Sequence, residues 1–245
     1  MEANEACFLA ALDAAAVQPN TNDIGTLSEK TLHAVLKYYY EPDSAKHEVK
    51  IGRYVADIAD ESGIFEIQTR SFSALRGKLD AFLPQSEVTV VYPIAVLKWI
   101  CWVDPADGTV CQKRKSPKKG CIYDALAELY KIKAFLRHPR LHVRLVLLEL
   151  TDYRLLDGYG ADRKKGATRG DRIPEKMIDE VCIDTPDDYI RFLPDGLPAV
   201  FTSKDFAACA AIRKPLAQIA LNVLKEVGAV CVCGKQGRAL LYCQA

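Results

Sequence analysis

Residues 57–68 read DIADESGIFEIQ. Asp57 opens the stretch, Asp60-Glu61-Ser62-Gly63 is a cluster of turn formers, and Glu66-Ile67-Gln68 closes it. A strand that buries Ile64, Phe65 and Ile67 has two ways to carry an acid and an amide two residues apart. Its polar face is solvated, or that face holds a cation. A turn symmetric about Glu61-Ser62 sets Asp57 opposite Glu66, with side chains ~5 Å apart at Cβ. Gln68 projects from the same face as Glu66. Two carboxylates that close repel unless a cation or a proton lies between them. A bulge in the turn would shift the pairing by one residue and separate them.

Outward from this hairpin the chain alternates in periodicity. Before it, GTLSEKTLHAVLKYYYEPD (25–43) has apolar residues at Leu32, Val35, Leu36 and Tyr39, with Thr26 or Ser28 as N-cap and Pro42 as a stop, which predicts a helix. HEVKIGRYVADIAD (47–60) reads as one strand-like run. After it, FSALRGKLDAFL (72–83) and CIYDALAELYKIKAFLRH (121–138) have helical spacing. EVTVVYPIAVLKWICWVD (87–104) predicts two short strands broken near Pro93, and LHVRLVLLELTDYRLL (141–156) one long strand. The order predicts an α/β fold with a mixed central sheet flanked by helices.

The chain has 245 residues, 49% of them hydrophobic, and a formal net charge of +1, enough for a sizeable core and unlike a disordered chain. No apolar run approaches the ~20 residues of a membrane span. MEANEACFLAALDAAAV (1–17) is acidic where a secretory signal would be basic, so residues 1–20 are expected to form a tail or short helix of a cytoplasmic protein. Nine cysteines, most of them in apolar runs such as KWICWV and GAVCVCG, fit buried free thiols in a reducing compartment. Cys231, Cys233 and Cys243 lack the fourth ligand of a structural zinc site. Neither GxGxxG nor a P-loop occurs, so no nucleotide cofactor is expected.

A helix carrying Glu29, a strand with Asp57, then Glu66-x-Gln68 and the helix SFSALRGKLDAFL resemble the core of the PD-(D/E)xK nucleases, whose fold is called restriction-endonuclease-like. The likeness covers about residues 26–93 and rests on order and spacing. It implies that Asp57 and Glu66, with the backbone carbonyl of Ile67, hold Mg²⁺ or Mn²⁺. Gln68 then stands where the motif usually has Lys, and Glu29 is the helical acid some members add. The spacing of His33, one turn after Glu29, allows it to line the same cleft, although a surface or capping role is the ordinary one for such a histidine. The motif's Pro before the Asp is absent. Glutamine offers a donor and an acceptor but no charge, so it can orient a water without neutralising a forming hydroxide. DNA is the implied partner, and nucleases of this class often dimerise to cut both strands, though the sequence carries no dimer signal.

Basic stretches supply candidate phosphate contacts. One loop carries Lys113, Arg114, Lys115, Lys118 and Lys119 around Ser116-Pro117. A second carries Arg163, Lys164, Lys165, Arg169 and Arg172. At the C-terminus, FTSKDFAACAAIRKPLAQIALNVLKEVGAVCVCGKQGRALLYC (201–243) resembles a winged helix-turn-helix. Thr202 or Ser203 would cap a short helix, a second helix would run from Lys214 to Val227, and a hairpin around Lys235-Gln236-Gly237 would form the wing. The second helix buries Leu216, Ala220, Val223, Leu224 and Val227 on one face. Arg213, Lys214, Gln218 and Asn222 lie on its other surfaces, Lys235 and Arg238 at the wing, and Gln218 and Asn222 could reach base edges. The expected domains are 21–185, nuclease-like, and 186–245, winged helix. Two functions follow: a metal-dependent DNA endonuclease, or a non-catalytic DNA-binding or regulatory protein on a decayed nuclease fold.

Overall fold

The computed structural model describes residues 2–17, 30–69, 71–157 and 168–245. Its helices are α1 (Glu2–Val17), α2 (Lys30–Tyr40), α3 (Arg76–Phe82), α4 (Tyr123–Leu129), α5 (Ser203–Cys209) and α6 (Lys214–Val227). Its strands are β1 (His47–Ile51), β2 (Tyr54–Asp60), β3 (Gly63–Ile67), β4 (Val88–Val103), β5 (Arg114–Lys115), β6 (Leu141–Leu155), β7 (Thr168–Ile183), β8 (Val230–Gln236) and β9 (Ala239–Gln244). Among the described residues seven strands form one mixed sheet in the order β1-β2-β3-β4-β6-β7, with β5 added on β4, and β8-β9 form a separate two-stranded sheet. The chain divides into two compact units, 1–60 with 93–120 and 146–180, and 61–92 with 121–145 and 181–245.

In the first unit, the run 47–60 is two strands rather than one. β1 and β2 pair antiparallel with Ile51 opposite Tyr54, so Gly52-Arg53 is a two-residue turn. Gly52 takes φ +59°, a value glycine adopts without strain. Helix α2 buries Leu32, Val35 and Leu36, the expected apolar stripe. The expected capping residues Thr26 and Ser28 lie outside the described residues. Residues 2–17 form a helix anchored by buried Phe8 and Ala11, with Phe8 edge-on to Tyr39 at 5.9 Å. The expected break at Pro93 does not occur, and β4 runs unbroken for 16 residues.

In the second unit, β3 pairs parallel with β4, Glu66 opposite Val90 and Ile67 opposite Val91. Val88, Thr89, Val90 and Val91 are all buried, as expected of a parallel strand covered on both faces. Gly63 begins β3 at φ +139°, and a Cβ there would lie 2.6 Å from the Glu87 carbonyl oxygen. The turn cluster therefore ends on a glycine that both the backbone angle and the close neighbouring strand require. A 3-10 turn, Phe72–Leu75, leads into α3, and Phe72, Leu75, Leu79 and Phe82 bury one face. The expected helix over 121–138 is shorter: α4 stops at Leu129 and continues as 3-10 turns to Phe135 across a kink at Ile132.

Helices α5 and α6 and the β8-β9 hairpin complete the second unit. Thr202 caps α5 in a reciprocal box with Asp205. Hydrogen bonds from the Thr202 backbone N–H and hydroxyl hold the Asp205 carboxyl below its ordinary value, so its stabilisation is present above about pH 4 and lost as pH falls through its lowered folded-state value. Thr202→Ala is expected to lower stability by about 1 kcal/mol at pH 7, read from urea unfolding. Helix α6 buries Ala217, Ala220, Leu221, Val223, Leu224 and Val227, while Leu216 is only half-buried. Its end at Gly228, φ +89°, follows the usual left-handed cap.

The expectation of mostly buried thiols is corrected. All nine cysteines are free, but Cys101 alone is buried, while Cys7, Cys111, Cys209, Cys231 and Cys233 are exposed. A two-stranded hairpin leaves one face in water, so the apolar look of GAVCVCG did not translate into burial.

Candidate functional site

The residues singled out in 57–68 fall in both units. In the first unit, α2 presents His33 and Lys37 toward the β1-β2 pair. His33 Nε2 lies 3.2 Å from a carboxylate oxygen of Asp57, whose side chain is 18% exposed. Lys37 Nζ bonds Glu48 at 2.9 Å. The pairs His47–Ile58 and Val49–Ala56 flank Glu48, which puts it level with Asp57 on the neighbouring strand. Glu48 has φ +55°, a left-handed conformation that is uncommon for glutamate. The hydrogen bond and charge of Lys37 hold its carboxyl below the ordinary range, while the negative charge of Asp57 opposes the shift. Sequence reasoning singled out Asp57, gave His33 a surface or capping role ahead of a place in the cleft, and missed Glu48. Its signal was the acid in HEVKI, disguised by reading 47–60 as one strand. Glu29 lies outside the described residues.

In the second unit, Glu66 points into the interior with 0% exposure, and Lys78 of α3 meets it. The Lys78 ammonium donates to both carboxylate oxygens, at 2.9 and 2.7 Å. A fully buried carboxylate needs a cationic partner. Lys78 supplies it from the rim of α3, beside buried Leu75, Leu79 and Phe82. The Gln68 backbone N–H donates to the Val91 carbonyl at 2.8 Å, which extends the parallel ladder one residue past β3 and leaves the Gln68 side chain half-buried. Lys78 was missed because helical periodicity marks the residues between apolar positions as solvated, and nothing local said that Glu66 would be buried.

Among the described residues no group of three or more His, Cys, Asp and Glu side chains is arranged to hold a metal ion. Within its own unit each acid already has a partner, Asp57 the His33 ring and Glu66 the Lys78 ammonium. Carboxylate oxygens are the donor type that Mg²⁺ takes, together with several waters.

The basic stretches are partly rearranged. Arg114 and Lys115 form β5, opposite Ile100 and Trp99 of β4, so this stretch is strand as well as loop. Lys113 is exposed but committed: its Nζ donates to both oxygens of Glu175 at 2.9 Å and lies 5.2 Å from the centre of the Trp99 ring. The Glu175 hydrogen bond raises the Lys113 ammonium above its ordinary value. Lys115, Lys118 and Lys119 are exposed. The second basic loop is corrected from Thr168 onward, where β7 begins. Arg169 and Arg172 lie on that strand, and Arg172 is half-buried. Arg163, Lys164 and Lys165 lie outside the described residues.

On α6, Arg213, Lys214 and Gln218 are exposed, as are Lys235 and Arg238 on the hairpin. Asn222 belongs to a packed surface instead: its side-chain carbonyl accepts from Lys133 at 3.3 Å, and Lys133 also lies 3.6 Å from Glu226. Gln218 is thus open to solvent, while Asn222, which was expected with it to reach base edges, is engaged by Lys133. Helix α6 packs on the 3-10 segment 130–135 along the side that carries Asn222.

Residues 30–184 match a family model described as "Domain of unknown function (DUF8091)". The chain belongs to this family. The matched segment runs from α2 through β7 and contains Asp57, Glu66, Gln68 and Lys78. The chain is also 28% identical over 220 residues to a protein of Treponema pallidum (strain Nichols) named "Uncharacterized protein", covering 89% of this chain and 86% of the relative. No solved structure matches it. Among the described residues no helix is long and apolar enough to cross a membrane.

Proposed function

We propose that this member of the DUF8091 family is a metal-dependent DNA endonuclease of the PD-(D/E)xK type, with Asp57 and Glu66 as the metal ligands. The observation that carries the reading is the succession α2-β1-β2-β3-α3-β4, with β3 and β4 parallel and an interior carboxylate, Glu66, two residues before Gln68. A divalent ion bound there would take up charge developing on the phosphate and lower the pKa of an attacking water. Asp57 binds from β2 and His33 steadies its carboxylate. Gln68, held by its backbone bond to Val91, offers an amide to orient the water in line with phosphorus. Lys78 offers the positive charge that Gln68 lacks.

In this proposal α5, α6 and the β8-β9 hairpin act as a winged helix-turn-helix that docks DNA through Arg213, Lys214, Gln218, Lys235 and Arg238. The protein acts in the cytoplasm, with a homodimer as one way to cut both strands. The test is incubation of duplex, single-stranded and branched DNA with Mg²⁺ or Mn²⁺. Metal-dependent cleavage of any of these supports the reading, and binding without cleavage overturns it.

One observation favours the second reading, a DNA-binding protein on a decayed site: Glu66 already has an ammonium partner on both oxygens. A Ca²⁺-dependent rise in thermal stability separates the two, because only a working site gives the ion a ligand set. Charge reversal at Lys115 and Lys118 is expected under either reading to weaken DNA binding irrespective of sequence, and to reduce the salt slope by about 1 per lost phosphate contact. Fluorescence anisotropy at several salt concentrations measures it, and unchanged binding at low salt would mark both lysines as merely solvated.

A further inference from the structure

The last hairpin holds a thiol cluster that the nuclease reading leaves unused. Cys231 of β8 and Cys243 of β9 are directly paired across the antiparallel ladder. Their sulfurs lie 3.1 Å apart. The register slips between Val232 and Gly234, which makes Cys233 the extra residue of a bulge beside this pair. Cys231 and Cys233 are exposed and Cys243 is half-buried, so a small reagent can reach the cluster.

The backbone under the pair is pinned. Tyr242, the neighbour of Cys243, exchanges two backbone hydrogen bonds with Phe201, at 2.9 and 2.8 Å, and stacks on its ring at 6.1 Å. The Ala245 N–H donates to Ala229, and Val230 is buried beside Cys231. Opposed antiparallel residues have Cα separations of roughly 4.5–5.5 Å, inside the range a disulfide spans without moving the backbone.

We propose that Cys231 and Cys243 are a thiol-modification site that takes low-molecular-weight disulfides such as oxidised glutathione and closes to a cross-strand disulfide. In the first step the Cys231 thiolate attacks one sulfur of oxidised glutathione. The glutathione S–S bond breaks, one glutathione thiolate leaves, and Cys231 carries a mixed disulfide. In the second step the Cys243 sulfur attacks the Cys231 sulfur, the mixed disulfide breaks, and the second glutathione leaves. Two protein thiols are oxidised, one glutathione disulfide is reduced, and the two thiol protons end on the two glutathiones.

The order of attack follows from the pair's electrostatics. The hydrogen bond to Cys231 is the main reason that the Cys243 thiol is pushed up to about 12, with burial and Cys233 adding to it. Cys243 therefore keeps its proton while Cys231 reacts. Once Cys231 carries the glutathione sulfur that main cause is gone, and Cys243 can ionise and close the ring.

The experiment treats the full chain with oxidised glutathione, blocks the remaining thiols and maps cross-linked peptides by mass spectrometry. The expected product links Cys231 to Cys243, lacks glutathione and reverts with dithiothreitol. The oxidised protein should show a Tm higher by roughly 5 °C, since a covalent link across a short loop restricts the unfolded chain. Cys243→Ser should stop at the glutathione adduct on Cys231, and Cys233→Ser should still form the cross-link. A wild-type adduct on Cys231 that persists without closing, or a cross-link distributed among other cysteines, overturns the proposal. Should Cys243→Ser fold poorly, the peptide map and reversal of the wild type alone decide it.

Discussion

Asp57→Ala is expected to abolish metal-dependent cleavage, lowering the single-turnover rate by at least about a hundredfold. Loss of a metal's charge stabilisation is worth several kcal/mol, and each ~1.4 kcal/mol is a factor of ten. The fold should survive, because what is lost is a polar contact to the partly exposed His33 rather than core apolar surface. Circular dichroism and a Tm near that of the wild type check this. Gln68→Ala should slow cleavage while leaving a Ca²⁺-induced Tm shift in place, since its proposed task is to orient water. Gln68→Lys should keep at least partial activity if the position is the motif's third residue. Wild-type protein that cleaves DNA while Asp57→Ala does so equally well would assign the activity to another part of the chain.

Lys78→Met is expected to destabilise the protein by about 2–4 kcal/mol in urea unfolding. Removing one partner of a buried ion pair typically costs about 3–5 kcal/mol, and less here because Lys78 is 23% exposed and water can reach the gap. Both Glu66 oxygens lose the Lys78 ammonium in the variant. Lys78→Arg should retain most of the stability. Combining Lys78→Met with Glu66→Gln should cost less than the sum of the single changes, because the buried negative charge is then removed together with its ammonium. Strict additivity would mean that the two groups do not depend on one another.

Periodicity made much of the architecture legible. The apolar stripe of α2, the face of α3, the long strand β6 and the succession α5, α6, β8, β9 follow from residue spacing and from turn formers such as Gly228 and Gly237. Three features were not legible, each for a physical reason. Gly52-Arg53 contains one turn former between two strand-like runs, too weak a signal to divide them. Pro93 is tolerated within β4, so a reliable breaker did not break. β7 is rich in charge, and its strand character comes from its place in the sheet rather than from alternation. The candidate site was legible only in its acids. Lys78 and Glu48 answer to Glu66 and Lys37, and such partnerships across elements leave no local pattern.

The bonds that tie α2 to β7 bear on how the chain reaches this state. Thr31 donates to Asp171 and Tyr40 to Glu180, and each pair is 140 residues apart in sequence. During synthesis the first helices therefore emerge long before the strand they bond, and the first unit cannot close until residue 180 has left the ribosome. Contacts of such separation must overcome loop-closure entropy before they stabilise anything, which makes folding slow. Until then the bonds of Thr31 and Tyr40 to β7 are unmade, and nascent chains of this protein should be clients of chaperones that hold incompletely folded chains.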